Sequence, residues 1–102
     1  MIEADARERA LALRDERGLD PAFAVRAAEK RIIERVVDEP VDRLPEPGPR
    51  EDRIAWVVTL ASGPFSIELA LDDATGELLR VRSSRGAALA SPRGSARAGG
   101  RR

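Results

Sequence analysis

The chain is 102 residues long, enough for one small domain, and contains neither cysteine nor histidine. Disulfides, zinc sites built from nitrogen and sulfur, and nucleophiles working through a Ser/His or Cys/His pair are thereby excluded. Its 18 basic and 18 acidic residues cancel overall but not locally: residues 1–84 carry 13 basic against 18 acidic groups, and residues 85–102 carry five arginines and no acid. An acidic body with a basic tail is not the footprint of a nucleic-acid-binding domain, so no specific nucleic acid is expected. No apolar run approaches the ~20 residues of a membrane span, and MIEADARERALALRDER lacks the apolar core of a leader. The expectation is a cytoplasmic protein with no membrane span.

Residues 2–17 read as a helix. Ile2, Ala6, Ala10 and Leu13 make a thin apolar stripe on a charged rod, Glu3–Arg7 and Asp5–Arg9 are acid-before-base pairs, and Gly18 suits the C-terminal cap. Because the stripe is mostly alanine, its burial is worth little. Asp20-Pro21 then starts a second helix, with Asp as N-cap and Pro at the first helical position, running to Asp38 before Pro40. On a helical wheel Ala22, Val25, Ala28, Ile32, Ile33 and Val36 share one stripe, which makes this the expected core helix. Phe23 and Ala27 fall on its other side. Glu29 lies inside the stripe and is expected to reach the rim and pair with Arg26 or Arg82. The wheel sets Lys30 on the wet side.

Residues 39–52, EPVDRLPEPGPRED, hold four prolines and a glycine and read as an extended surface loop, with Val41 and Leu44 as candidates to pin it to a sheet edge. From Arg53 to Arg82 the apolar residues alternate: Ile54, Trp56, Val58, Leu60, then Phe65, Ile67, Leu69, Leu71, then Leu79, Val81. Period-two alternation of this length predicts three antiparallel strands with one buried face. Facing Leu60 with Phe65 sets Trp56 opposite Leu69. The link is either a four-residue connection or a two-residue loop at Ser62-Gly63, which Pro64 cannot close with an N–H. A turn at Asp73-Ala74-Thr75-Gly76, with Gly76 left-handed and a bulge after it, pairs Leu71 with Leu79, Leu69 with Val81, Glu68 with Arg82 and Ala70 with Arg80. The reverse face (Ala55, Val57, Thr59, Ser66, Ala70) is mildly polar. It is expected to meet the first helix, a second copy or a partner protein. From Ser83 onward Gly, Ser, Ala and Arg dominate, and the tail is expected to be disordered.

The expected fold class is α+β. One amphipathic helix packs on a three-stranded antiparallel meander, preceded by a second, N-terminal helix and followed by a disordered tail. The expected division is residues 1–18 (helix), 19–84 (helix plus sheet) and 85–102 (basic tail). No residue stands out as catalytic, cofactor-binding or metal-ligating, and no cofactor is expected. Asp72-Asp73 with Glu77 reads as a hairpin turn rather than a cation loop, lacking the alternating oxygen ligands a calcium loop needs. Trp56, in phase with Ile54, Val58 and Leu60, reads as core.

The segment PAFAVRAAEKRIIERV, then Trp56-Val57-Val58, an alternating strand and Asp72-Asp73-Ala74-Thr75-Gly76-Glu77-Leu78-Leu79, resembles the PepSY domain over about residues 20–82. That resemblance implies a small helix-on-sheet module that binds or inhibits peptidases or senses at the cell envelope, with no catalytic residues. The same strand and Thr-Gly hairpin are similar to small bacterial immunity proteins with cystatin-like or nuclear-transport-factor-2-like sheets. The expected function is a non-catalytic protein-binding or regulatory module, with an antitoxin-type inhibitor as the alternative. Its partner is another protein or a second copy. The candidate contact residues are Arg80, Arg82, Glu68, Val57 and Thr59, on the outer face or on an edge strand open to pairing.

Overall fold

The computed structural model describes residues 1–41 and 43–83. One helix, α1 (Glu3–Glu16), precedes four strands: β1 (Ala24–Val36), β2 (Arg50–Ser62), β3 (Phe65–Asp72) and β4 (Leu78–Ser83). The strands form one antiparallel sheet in the order β1-β2-β3-β4. The class is α+β, as expected, but the expected core helix over residues 20–38 is a strand and the sheet has four strands, not three. The expected basic tail, 85–102, lies outside the described residues.

The helix reading fails at 20–38 because its signals are ambiguous. Asp20 caps a turn instead of a helix: its carbonyl accepts the N–H of Phe23 at 3.0 Å, and its side chain accepts the N–H of Ala22 at 2.8 Å. Val25, Ile32, Ile33, Val36 and Val37 are β-branched and fit a pleated surface. β2 begins at Arg50, earlier than expected, and offers 13 residues of ladder to a neighbour. Pairing along that whole length outweighs the helix propensity of Ala27-Ala28-Glu29-Lys30-Arg31.

The cover for the sheet is therefore α1. Ala6, Ala10 and Leu13 are buried against Val58, Leu60, Leu69 and Leu71. The alanines let the helix axis sit close, so the strand leucines fill the interface. Gly18, at φ +70°, closes the helix as expected, and Arg7 pairs with Glu3 at 2.8 Å. Arg9 reaches Glu16 and the carbonyl of Gly76 rather than Asp5. A 14-residue helix is about 21 Å long, whereas 13-residue strands run about 43 Å, so α1 covers about half of β1 and β2. Beyond it Ile32 and Ile54, cross-strand partners, stand 69% and 53% exposed.

The β2–β3 register is two residues away from the expected one. Ser62 faces Phe65, Leu60 faces Ile67 and Trp56 faces Leu71, so the loop is Gly63-Pro64 with Gly63 at φ +58°. Pro64 then lies inside the turn, where no ladder bond needs its N–H. A shift of two keeps every side chain of β2 and β3 on its face, but Ile54 and Phe65, expected to be buried, are exposed at 53% and 38%. The β3–β4 register matches expectation at Glu68–Arg82, Leu69–Val81 and Ala70–Arg80. The bulge brings Leu78 rather than Leu79 opposite Leu71, and Leu79 is buried on the reverse face with Ala55, Val57 and Ala70.

The loop between β1 and β2 joins the two edges of the sheet. Val37 donates to the carbonyl of Pro49 at 2.9 Å, which in the observed register turns the backbone groups of Glu29, Arg31, Ile33 and Arg35 toward β2. Those of Ala28, Lys30, Ile32, Glu34 and Val36 point the other way. On that open side Val36 N–H meets Glu39 Oε1 at 3.1 Å, and the Glu34 carbonyl accepts Arg80 Nη2, from the opposite edge strand, at 3.0 Å. At the other edge Val81 N–H donates to the carbonyl of Val41 at 3.0 Å. The sheet thus curls at this end, and residues 37–41 strap its free edges together. Val41 pins the loop to β4 as expected, but Leu44 does not: it is 91% exposed.

Candidate functional site

The strapped end of the reverse face holds the densest polar cluster among the described residues. Arginines Arg35, Arg53 and Arg80 meet acids Glu39, Glu51 and Asp72. Strand alternation delivers Arg35 from β1, Glu51 and Arg53 from β2, Asp72 from β3 and Arg80 from β4. The strap supplies Glu39.

Every carboxylate in the cluster is occupied. Asp72, 4% exposed, accepts the N–H groups of Ala74 and Thr75 on Oδ1, at 2.8 and 3.1 Å, and Arg53 on Oδ2. Burial pushes its carboxyl up, but the Arg53 hydrogen bond and charge and the two N–H groups outweigh burial, holding it below the usual aspartate range. Glu39 takes Val36 N–H on one oxygen and Arg80 on the other, at 3.0 Å. Burial again raises its carboxyl, and the Val36 N–H, Arg80 and Arg35 overcome it and lower the pKa. Arg35, 6% exposed, donates to the carbonyls of Val36 and Glu39 and lies 3.7 Å from Glu51, which also takes Arg53 at 3.3 Å. Carboxyls held ionised with their lone pairs engaged are poorly suited to give or take a proton near neutral pH. The cluster's evident work is to pin the hairpin turn and the strap.

The expected contact residues separate. Thr59, Glu68 and Arg82 form one row across β2, β3 and β4, with Thr59 and Glu68 half-buried and Arg82 exposed. Val57 is buried with Ala55 and Ala70 and presents no contact surface. Arg80 is committed to Glu39 and to the Glu34 carbonyl. Arg82 faces Glu68 in register yet makes no ion pair with any described residue.

Arg80 and Arg82 border an open cleft of about 420 Å³ between β4 and the loop, walled by Val41, Leu44 and Pro45 and edged by Arg43 and Arg50. Arg43, like Arg82, has no hydrogen bond or ion pair among the described residues, whereas Arg50 pairs with Glu34 at 3.3 Å. Nothing in the sequence singles out Arg43, because a proline-rich stretch carries no periodicity to say which side chains it turns inward. Arg35 would have been found by alternation had residues 24–36 been read as a strand, whereas Arg53 already stood at the start of the alternating segment.

On the helix side, Trp56 lies half-buried beneath α1, not beneath a helix of residues 20–38. Its indole N–H donates to the carbonyl of Met1 at 3.1 Å and to Asp73 Oδ1 at 3.0 Å. Lys30 is exposed, as expected, with its ammonium 3.7 Å from Asp73 Oδ1 and 5.5 Å from the Trp56 ring centroid. Glu29 is exposed and pairs with Arg31 rather than Arg26 or Arg82.

No helix among the described residues is long and apolar enough to cross a membrane, and no three acids among them converge as a metal-holding group. The segment that resembles a PepSY helix is β1, so that resemblance rests on Trp56–Val58 and the 72–79 hairpin. Compared with protein-family models, curated proteins and solved structures, the chain matches none of the three.

Proposed function

We propose that this chain is a small non-catalytic protein-binding module that receives an acidic, partly apolar segment of a partner protein in the cleft between β4 and the 37–49 loop. One observation carries the reading: Arg43 and Arg82 border a cleft of about 420 Å³ with no counter-charge among the described residues, beside a leucine that is 91% exposed. Guanidinium forks suit carboxylates, and exposed Leu44 with Val41 and Pro45 suits an apolar side chain between them. The described lining sets four arginines (Arg43, Arg50, Arg80, Arg82) against two glutamates (Glu34, Glu39), a formal excess of two. Ordinary groove-binding chemistry accounts for such a site. The engaged carboxylates of the neighbouring cluster support a binding role over an acid–base one. The PepSY-like hairpin, whose family works through protein surfaces, points the same way.

Fluorescence anisotropy with a labelled six-residue peptide of alternating Glu and Leu tests this. Binding should be saturable, weaken as salt rises, and fall at least tenfold in Arg43→Glu and in Arg82→Glu. A Lys/Leu peptide should not bind. Equal binding of both peptides, or unchanged affinity in the two variants, refutes it.

A further inference from the structure

The other edge of the sheet, β1, is open. β1 is an edge strand, and its backbone groups at Ala28, Lys30 and Ile32 point away from β2 by the alternation set at Val37–Pro49. None of these N–H or C=O groups has a partner among the described residues. The free run has definite ends. Toward the C-terminus the Glu34 carbonyl is taken by Arg80 and the Val36 N–H by Glu39. Toward the N-terminus the bulge between Val25 and Ala27 breaks the edge.

We propose that this edge pairs antiparallel with the same edge of a second copy, about a two-fold axis at Lys30, joining two four-stranded sheets into one of eight. The free run, 28 to 32, is centred on Lys30, so this register matches every free group with a free group: Ala28 with Ile32 of the other copy, Lys30 with Lys30, Ile32 with Ala28. That is about six new N–H···O bonds.

The side chains agree with the same axis. On the reverse face Glu29 of each copy stands opposite Arg31 of the other, two cross-strand charge pairs of opposite sign. On the helix face Ile32, 69% exposed, meets Ala28 of the other copy and carries the exposed Ile54 beside it into the junction. Lys30 would face itself, but each ammonium is already drawn back, 3.7 Å from Asp73 and over Trp56. Neighbouring registers do worse. An axis at Arg31 sets Arg31 against itself, one at Glu29 sets two carboxylates face to face, and one at Ile32 needs Val36, whose N–H is spent. Because the contact is two-fold and the strap and bulge end it on both sides, it closes as a dimer instead of propagating as a fibre. This surface is independent of the cleft, so either reading can fail alone.

Sedimentation equilibrium on the full chain, at ten to a few hundred micromolar, tests it. The wild type should be a dimer. Glu29→Arg and Arg31→Glu, each placing like charges across the axis, should raise the dissociation constant at least tenfold while tryptophan fluorescence and circular dichroism stay native. The double variant Glu29→Arg/Arg31→Glu restores opposite charges in both pairs and should recover the dimer. A monomeric wild type, a dimer indifferent to the single changes, or a double variant as weak as the singles would each overturn the proposal.

Discussion

Asp72 offers the sharpest check on how the strapped end is held. Its side chain does two jobs on separate oxygens: Oδ1 caps the hairpin turn through Ala74 and Thr75, and Oδ2 takes Arg53 from β2. Asp72→Asn keeps the cap and removes the charge; Asp72→Ala removes both. A hydrogen bond to a charged group contributes about 1.5–3 kcal/mol and a neutral one about 1 kcal/mol. Arg53 is about a third exposed and keeps Glu51 at 3.3 Å, so the lower end applies to the charged bond. Asp72→Asn should therefore cost about 1.5 kcal/mol at pH 7 and Asp72→Ala, which also loses the two turn N–H bonds, about 3.5 kcal/mol, a large share of the roughly 4–12 kcal/mol expected for a domain of about 80 residues. The pH dependence carries its own sign. A carboxyl whose folded pKa is lowered adds stability that is present above its unfolded value, about 3.9 for Asp, and is lost as pH falls through the folded one. Urea melts followed by Trp56 fluorescence at pH 7 and pH 3 should show a smaller acid loss in Asp72→Asn than in the wild type. The residual loss belongs to Glu39, shifted in the same direction. Equal acid losses in the two proteins, or Asp72→Asn as costly as Asp72→Ala at pH 7, would refute the division of labour.

Two further expectations test the packing. Ala10→Leu would force a larger side chain between α1 and the leucines beneath it and should destabilise by about 1–3 kcal/mol in the same melts; an exposed Ala10 would give no change. Gly76→Ala meets two obstacles, φ +76° and the Met1 Cε only 3.0 Å from an added Cβ, so it should cost more than Gly63→Ala, whose φ of +58° faces open space. Equal thermal midpoints for the two glycine variants would remove Met1 from the packing of that turn.

Val81→Pro would probe strand addition only if the β4 edge were free, and at Val81 it is not. The substitution deletes the N–H that holds Val41, so it loosens the strap before it touches any partner. The edge left open to a partner strand is β1.

What the sequence determined by itself was much of what depends on near neighbours along the chain, though the β2–β3 register, equally local, lies two residues from the expected one. The α1 stripe from Ala6 to Leu13, the alternation from Trp56 to Leu71, the left-handed Gly76 and the Glu68–Arg82 register are set by local spacing and turn chemistry, and these were legible. What only the tertiary structure decided was the fate of residues 20–38 and of the loop after them. AVRAAEKRIIERV satisfies a helical wheel, and the choice of strand fell to the ladder along the 13-residue β2, whose partners lie 14 (Val36↔Arg50) to 37 (Ala24↔Ala61) residues away. Glu39 and Arg80 are 41 residues apart, and no local pattern foretells that a proline-rich loop will carry that glutamate across to the far edge of the sheet. Such contacts exist only once the sheet has curled, because curvature is what brings its two edges within reach of a single arginine.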